Sequence, residues 1–242
     1  MSFFASQEPH RWAEEYFSGA EMSDVRRTDR IVAMAEAMAA TPGGSIPTLF
    51  ARPYDVKAAY NLCKHPEATP DNVQAGHREL VLSERHTPGV YLLLEETTAL
   101  SFSGRKPVPG LGPIGHGAAG LQGFFVHAVL GVRGSAPRAD AQGSRRPVVD
   151  ILGLCDQQYD ARKPRAPGTP RESSQARKYR ERESYTWEHA GQRIGPAPEG
   201  VRWIRIGDRE ADIYEHLRSC QALGHGFAAV LILEINWYRT AI

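Results

Sequence analysis

Two carboxylates stand where metal chemistry could be done. Glu96 follows the apolar run 90–94, VYLLL, and Asp208 follows 203–207, WIRIG, just ahead of a helical pattern. The ends of adjacent buried strands bring distant residues together. Carboxylates placed there suit Mg2+ or Mn2+, hard cations that take oxygen ligands and commonly use one or two acidic side chains plus a substrate phosphate. A pair of such ions could activate a water and steady a leaving 3′ oxygen. The plainer alternative is that either acid caps a helix or faces solvent at a strand end.

Other candidates are weaker. The segment 110–115, GLGPIG, matches GxGxxG, but Pro113 and the glycines after it do not open a helix, so a flexible glycine loop is expected instead of a dinucleotide site. A formal net charge of +1 hides a crowding of Arg133, Arg138, Arg145, Arg146, Arg162, Lys163, Arg165, Arg171, Arg177, Lys178, Arg180 and Arg182. That region is either a polyanion surface or a solvated arginine-rich loop. Cys63, Cys155 and Cys220 are far apart, odd in number and in no CxxC pair, which argues against a disulfide scaffold and a zinc site and fits a reducing cytoplasm. The start, MSFFASQEPHRW, has no basic segment followed by a long apolar one, and the run 227–235 is too short to span a bilayer, so no membrane role is indicated.

The elements that must hold these residues fall into two textures. Over the first third, Trp12, Tyr16 and Phe17 share a helical face, and Ser23 is placed to cap a helix carrying Ile31, Met34, Ala35 and Met38 at helical spacing. Thr41-Pro42-Gly43-Gly44 ends it. A third helix is expected over 54–64, and a fourth begins with Thr69 as cap and Pro70 at the first helical position. From about residue 87 the pattern changes: 90–94 reads as a strand buried on both faces, with further strands over 124–132, 148–155, 202–206 and 227–235 and a helix over 209–221. The charged, proline-bearing stretch 156–183 reads as a surface loop, and a helix is expected from Glu183. The fold class expected is an all-α module, residues 1–86, followed by an α/β domain with a mixed sheet, residues 87–242.

Several motifs in order carry a resemblance. HRWAEEYFSGA, SDVRRTDRIVAMA, KAAYNLCKHPEATP, LLLEETTALSF, GLGPIGHG, HAVL, ESYTW and above all IGDREADIYEHL resemble the transposon-five-like transposases of the insertion-sequence-four superfamily, from about His10 to about Phe227. The resemblance implies a helical module that binds DNA ends and a ribonuclease-H-like nuclease domain using a DDE triad of metal-binding carboxylates. Asp208, in GDREAD, matches the second Asp, and Glu96 stands where the family's DTT motif has its first. There the sequence departs from the family: Glu adds a methylene, shifting the carboxylate by roughly 1.5 Å where a preorganised site tolerates about 0.5 Å. Glu95, its neighbour on the strand, should point to the opposite face. The triad's Glu has no counterpart, and the loss of resemblance after Phe227 suggests a frameshift or premature stop, hence an incomplete catalytic domain.

What the resemblance implies for this chain is therefore specific. Arg26, Arg27 and Arg30 on the second helix, with Tyr60 and Lys64 on the third, would contact double-stranded DNA at transposon terminal inverted repeats. The numerous acids of the same module, Glu14, Glu15, Glu21, Asp24 and Asp29, could instead occupy those arginines. Glu96 and Asp208 would be catalytic metal ligands for Mg2+ or Mn2+, while His127 and Trp187 read as buried core residues. The expected function is a transposase-like DNA-binding protein of the bacterial cytoplasm and nucleoid, without competent strand cleavage. The alternatives are a regulator that inhibits transposition in trans, as a homodimer or paired with a full-length transposase, and an inert remnant.

Overall fold

The computed structural model describes residues 8–84, 88–102, 106, 108–114, 121–139, 145–163, 173 and 183–229. The chain divides into two units, Met1–His86 with Ile151–Leu154, and Thr87–Asp150 with Cys155–Ile242. Helices make up the first: α1 (Pro9–Phe17), α2 (Val25–Ala40), the short α3 (Ile46–Leu49), α4 (Pro53–Cys63) and α5 (Pro70–Glu84). Proline opens α1, α4 and α5, where its missing N–H has no helical partner to lose and its fixed φ favours the turn. Thr69 caps α5 as the sequence suggests, its hydroxyl accepting the Asn72 N–H at 3.2 Å. The cap of α2 is Asp24 and not Ser23: the Asp24 carboxylate accepts the Arg26 N–H at 3.0 Å. Ser23 is engaged elsewhere, donating its N–H to Glu67 at 3.2 Å and accepting from Arg27 Nη1 at 2.9 Å.

The core of this unit is built from Ala20, Ile31 and Leu62, with Phe17, Met22, Met34, Ala68 and Val73 packed against them. Trp12 lies 5.9 Å from Tyr16 and 5.5 Å from Phe17, ring centre to ring centre, so the predicted aromatic face of α1 forms. Met38, expected on the buried stripe of α2, is 48% exposed. Two glycines set how closely α5 approaches the turn after α1: a Cβ on Gly76 would stand 2.6 Å from Gly19 Cα, so the backbones touch directly.

The second unit is a mixed sheet with helices on one face. Its strands are β1 (Gly89–Ser101), β2 (Gly112–Pro113), β3 (Gln122–Ala139), β4 (Arg145–Asp160), β5 (Val201–Gly207) and β6 (Gly226–Ala229). They run in the order β2-β3-β1-β5-β6, with β4 also paired to β3. β3 is antiparallel to β1 and β2, whereas β5 is parallel to β1 and β6. Helices α6 (Tyr185–Ile194) and α7 (Tyr214–Ala222) pack together, α6 lying against β3. Tyr91, Leu93, Val129, Trp203, Ile194 and Cys220 fill the core beneath them.

Several expectations change in detail. β1 is buried on one face only: Tyr91 and Leu93 are covered, while Val90 is 49% and Leu94 37% exposed. It also runs well past Leu94, because β3 continues to pair with it from Tyr91↔Arg133 to Ser101↔Gly123 and the β-branched Thr97 and Thr98 suit a pleated surface. Glu96 is therefore interior to its strand and not at its end. The expected helix 209–221 is a 3-10 turn, Arg209–Ala211, followed by α7. β4 extends to Asp160 into the expected loop, and Gly112–Pro113 of the glycine segment pair with β3, while 115–120 and the strand residues beyond Ala229 lie outside the described residues.

Among the described residues no helix is long and apolar enough to cross a membrane. Cys63 is exposed, Cys155 and Cys220 are buried, and all three are free thiols.

The Gly19–Gly76 contact yields a stability prediction. Alanine at an exposed helical position gains about 1 kcal/mol over glycine, but a methyl driven into backbone costs about 1–3 kcal/mol. Gly76→Ala should therefore be neutral to clearly destabilising in urea denaturation of the full chain. A stabilisation near 1 kcal/mol would show that the two backbones do not touch.

Candidate functional site

The parallel pairing of β1 with β5 determines which residues meet. Gly89 lies opposite Val201, and the register continues without a bulge to Leu94 opposite Ile206. Two residues further along each chain come Glu96 and Asp208. Side chains alternate along a strand, so Leu94 and Glu96 point away from the helices, whereas Leu93 and Glu95 point toward them. The structure thus brings Glu96 and Asp208 to one place on the open face.

Electrostatics report the same proximity. Partial withdrawal from water, reinforced by the carboxylates of Asp208 and Glu210, pushes the Glu96 carboxyl above its usual range. Asp208 also caps the 3-10 turn, its Oδ1 accepting the Glu210 N–H at 2.8 Å. The plainer role considered for this residue is therefore real, and it fixes the side chain at the strand end. Gly207 precedes it for a steric reason: a Cβ there would stand 2.6 Å from Ala211 Cβ and 2.8 Å from Trp187 Cζ3. Mutually repelling oxygens of this kind fit a hard divalent cation, which would relieve the repulsion. Among the described residues no cluster of three or more His, Cys, Asp and Glu side chains could hold a metal, so other ligands would be phosphate oxygens and water.

Directly beneath lies a buried charged network that the sequence did not reveal. Glu95 and Arg205 have side chains with no exposure, and the guanidinium donates to both Glu95 oxygens and, at 2.7 Å, to the Trp187 carbonyl. His127 approaches Glu95 to 3.5 Å and shares a 2.8 Å hydrogen bond with the Thr97 hydroxyl. Its ring meets Trp187 edge-on at 4.6 Å, so both residues occupy the core as expected. Burial would raise the Glu95 carboxyl, but His127 and Arg205 together outweigh it and hold Glu95 below its ordinary range. Burial, assisted by the Arg205 cation, pushes His216 and His225 down to about 4.

In the helical unit the predicted contact residues divide. Arg30 donates to Asp55 at 2.9 Å, Arg27 to Glu67 at 2.8 Å, and Arg26 lies along Asp24 at 3.1 Å. Arg30 and Arg27 are only 24% and 32% exposed; Arg30 joins α2 to α4 and Arg27 ties α2 to the turn before α5, whereas Arg26 is 86% exposed. Arg30 and Arg52 hold the Asp55 carboxyl below its usual range. Tyr60 and Lys64, by contrast, are exposed.

They belong to a stripe. Asp55, Ala59 and Leu62 are the buried side of α4, so Tyr54, Lys57, Tyr60, Asn61 and Lys64 share its outer side. Tyr54 is 73% and Tyr60 42% exposed, and among the described residues neither Lys57 nor Lys64 has a carboxylate partner. Sequence reasoning missed Lys57, although its spacing of seven from Lys64 is the signal that places the two on one helical face.

Residues 9–68 match a family model described as transposase DNA-binding. That stretch is similar to the DNA-binding regions of transposases. The match covers α1 to α4 and therefore both the arginine pairs and the α4 stripe.

The arginine-rich region is only partly described. Arg133 stands 3.8 Å from Asp150, and Arg162 donates to Glu183 at 2.7 Å while its guanidinium lies 4.4 Å from the centre of the Phe125 ring. The side chains of Arg138, Arg145 and Arg146, and all of Arg165, Arg171, Arg177, Lys178, Arg180 and Arg182, lie outside the described residues.

The two depressed histidines imply a pH dependence. Near neutral pH His216 and His225 are uncharged in both the folded and unfolded chain. As pH falls through 6.5, their ordinary value, toward about 4, the unfolded chain takes up protons that the folded one refuses. Thermal melts should therefore show the melting temperature falling across that window, and His216→Gln should shallow the fall. A dependence identical in the variant would show that His216 is not held neutral.

Proposed function

We propose that this protein engages duplex DNA through the outer side of α4 and holds a divalent cation, Mg2+ or Mn2+, between Glu96 and Asp208 in a ribonuclease-H-like domain. The observation that carries the DNA assignment is the transposase DNA-binding match over residues 9–68, which includes Lys57 and Lys64, exposed and without a carboxylate partner among the described residues. Ammonium groups without carboxylate partners are available to phosphates, while Tyr60 and Asn61 between them can reach base edges or sugars. Of the arginines first considered, Arg27 and Arg30 serve the fold through ion pairs, and Arg26 is the exposed one that can reach the backbone of DNA.

The recognised DNA is a transposon terminal inverted repeat, in keeping with the motif resemblance to transposon-five-like transposases. At the second site Glu96 and Asp208 would orient a cation against a bound phosphate, and its chemistry, when bound, is to polarise that phosphate and activate a water. Glu96 sets this chain apart from its relatives, because its extra methylene displaces the carboxylate by more than a preorganised phosphoryl-transfer site tolerates. Occupancy of DNA, and inhibition in trans of a complete transposase at the same ends, is the activity this arrangement supports better than rapid strand cleavage.

Three measurements test this reading. With a short duplex, Lys57→Ala/Lys64→Ala should weaken binding and reduce the slope of log affinity against log salt by about 2, near 0.9 per phosphate contact. An unchanged slope would remove α4 from the interface. Selection from a randomised duplex library should enrich one sequence, and failure to enrich any would reduce the assignment to nonspecific binding. Incubation of the enriched duplex with Mg2+ or Mn2+ should give no strand cleavage, whereas robust nicking that vanishes in Asp208→Ala would contradict the account.

A further inference from the structure

We infer that the buried Glu95–Arg205 ion pair is a positioning device that sets the spacing of Glu96 and Asp208. The inference rests on the reading of those two carboxylates as a cation site. Its first ground is location. Backbone pairing between β1 and β5 stops at Leu94 and Ile206, two residues short of the acids. Among the described residues no β1–β5 backbone pair follows, and Glu95, the first residue past it, reaches back to Arg205 as a side-chain bridge between the two strands.

The second ground is geometry. A guanidinium presents its N–H groups as a planar fork, so a carboxylate gripped through both oxygens is fixed in distance and in orientation. Here the fork holds both Glu95 oxygens, and a further N–H goes to the Trp187 carbonyl, tying β1, β5 and α6 at one point. Apolar side chains at 95 and 205 would fill the same space without direction, since hydrophobic contact has none. Gly191 supports this reading: a Cβ there would lie 2.5 Å from Arg205 Nη1, so α6 is pared back where the guanidinium sits.

A third ground is the opposite flank of Glu96. Thr97 is tied to β3 by its 2.8 Å hydrogen bond to His127 Nδ1. Glu96 is thus bracketed by Glu95, anchored toward β5, and Thr97, anchored toward β3, while Asp208 is held by its own cap on the Glu210 N–H. Replacing a buried ion pair with apolar residues of similar volume is often neutral for stability. The pair is accordingly better explained by precision at the adjacent acids than by contribution to folding.

The test separates positioning from folding and from metal binding. In a Cys63→Ser background, Glu96→Cys and Asp208→Cys should form a disulfide readily under mild oxidation, because neighbouring strands lie about 4.8 Å apart and disulfides span Cα separations of about 4.4–6.8 Å. Adding Glu95→Leu with Arg205→Met should leave a cooperative melt but slow that disulfide severalfold. In the protein retaining Glu96 and Asp208, the same double change should weaken Mn2+ binding, read by electron paramagnetic resonance, about tenfold or more. If the double change does not fold, Arg205→Lys, which keeps the charge and loses the fork, should show the same slowing in part. Equal disulfide rates and equal Mn2+ affinities in the folded variants would overturn the positioning role alone. A parent that crosslinks readily yet binds no Mn2+ would overturn the cation reading, and the inference with it.

Discussion

The parallel register of β1 on β5 is the constraint on which the second unit depends. It sets Arg205 opposite Leu93, within reach of Glu95 two residues further along β1, and the same register continued carries Glu96 toward Asp208. A slip of one residue would turn every side chain of β1 to the other face. It would place a charged Glu95 on the open face and drive Glu96 into the core against Trp187. The buried ion pair therefore penalises the wrong register as strongly as it holds the right one, because an unpaired charge in that core would cost several kcal/mol.

The sheet divides its tasks between two faces. Under α6 and α7, burial is nearly complete, and the charged pair there is held on several sides: Arg205 by Glu95 and the Trp187 carbonyl, with His127 tied to Thr97. On the other face, the acids are accessible and their repulsion is only partly relieved. Rigidity comes from the first face, and the second is the one on which the proposed cation would sit. The helical unit shows a parallel division, with Arg27 and Arg30 held in ion pairs to the turn before α5 and to α4, and the lysines of α4 exposed on its outer side.

Much of this was legible in the sequence wherever a local rule decides the structure. Proline at the start of α4 and α5, Thr69 as a cap, and the apolar run before Asp208 each act within a few residues. The pairing of β1 with β5 was legible as two apolar runs of strand length, although Glu96 proves interior to its strand and only Asp208 stands just past a strand end. The length of β1 was not, since it is set by its distant partner β3 and not by the residues EETT themselves. Nor were the fates of Arg27 and Arg30, which depend on Glu67 arriving from the turn before α5 and on Asp55 from α4. Arg205 sits in a five-residue apolar context that a periodicity argument treats as a strand with one outward charge, and only the position of Glu95 explains why it points inward.

Glu96 and Asp208 are proposed to form one cation site. That site is tested most directly by carbonyl-labelled aspartate and glutamate in the intact protein, observed by carbon NMR during a titration with Mn2+. The side-chain carboxyl signals of Glu96 and Asp208 should broaden together at the lowest Mn2+ concentrations, ahead of the exposed acids of the helical unit. Broadening of the two at separate concentrations, or no faster than Glu14 and Glu15, would contradict a shared site.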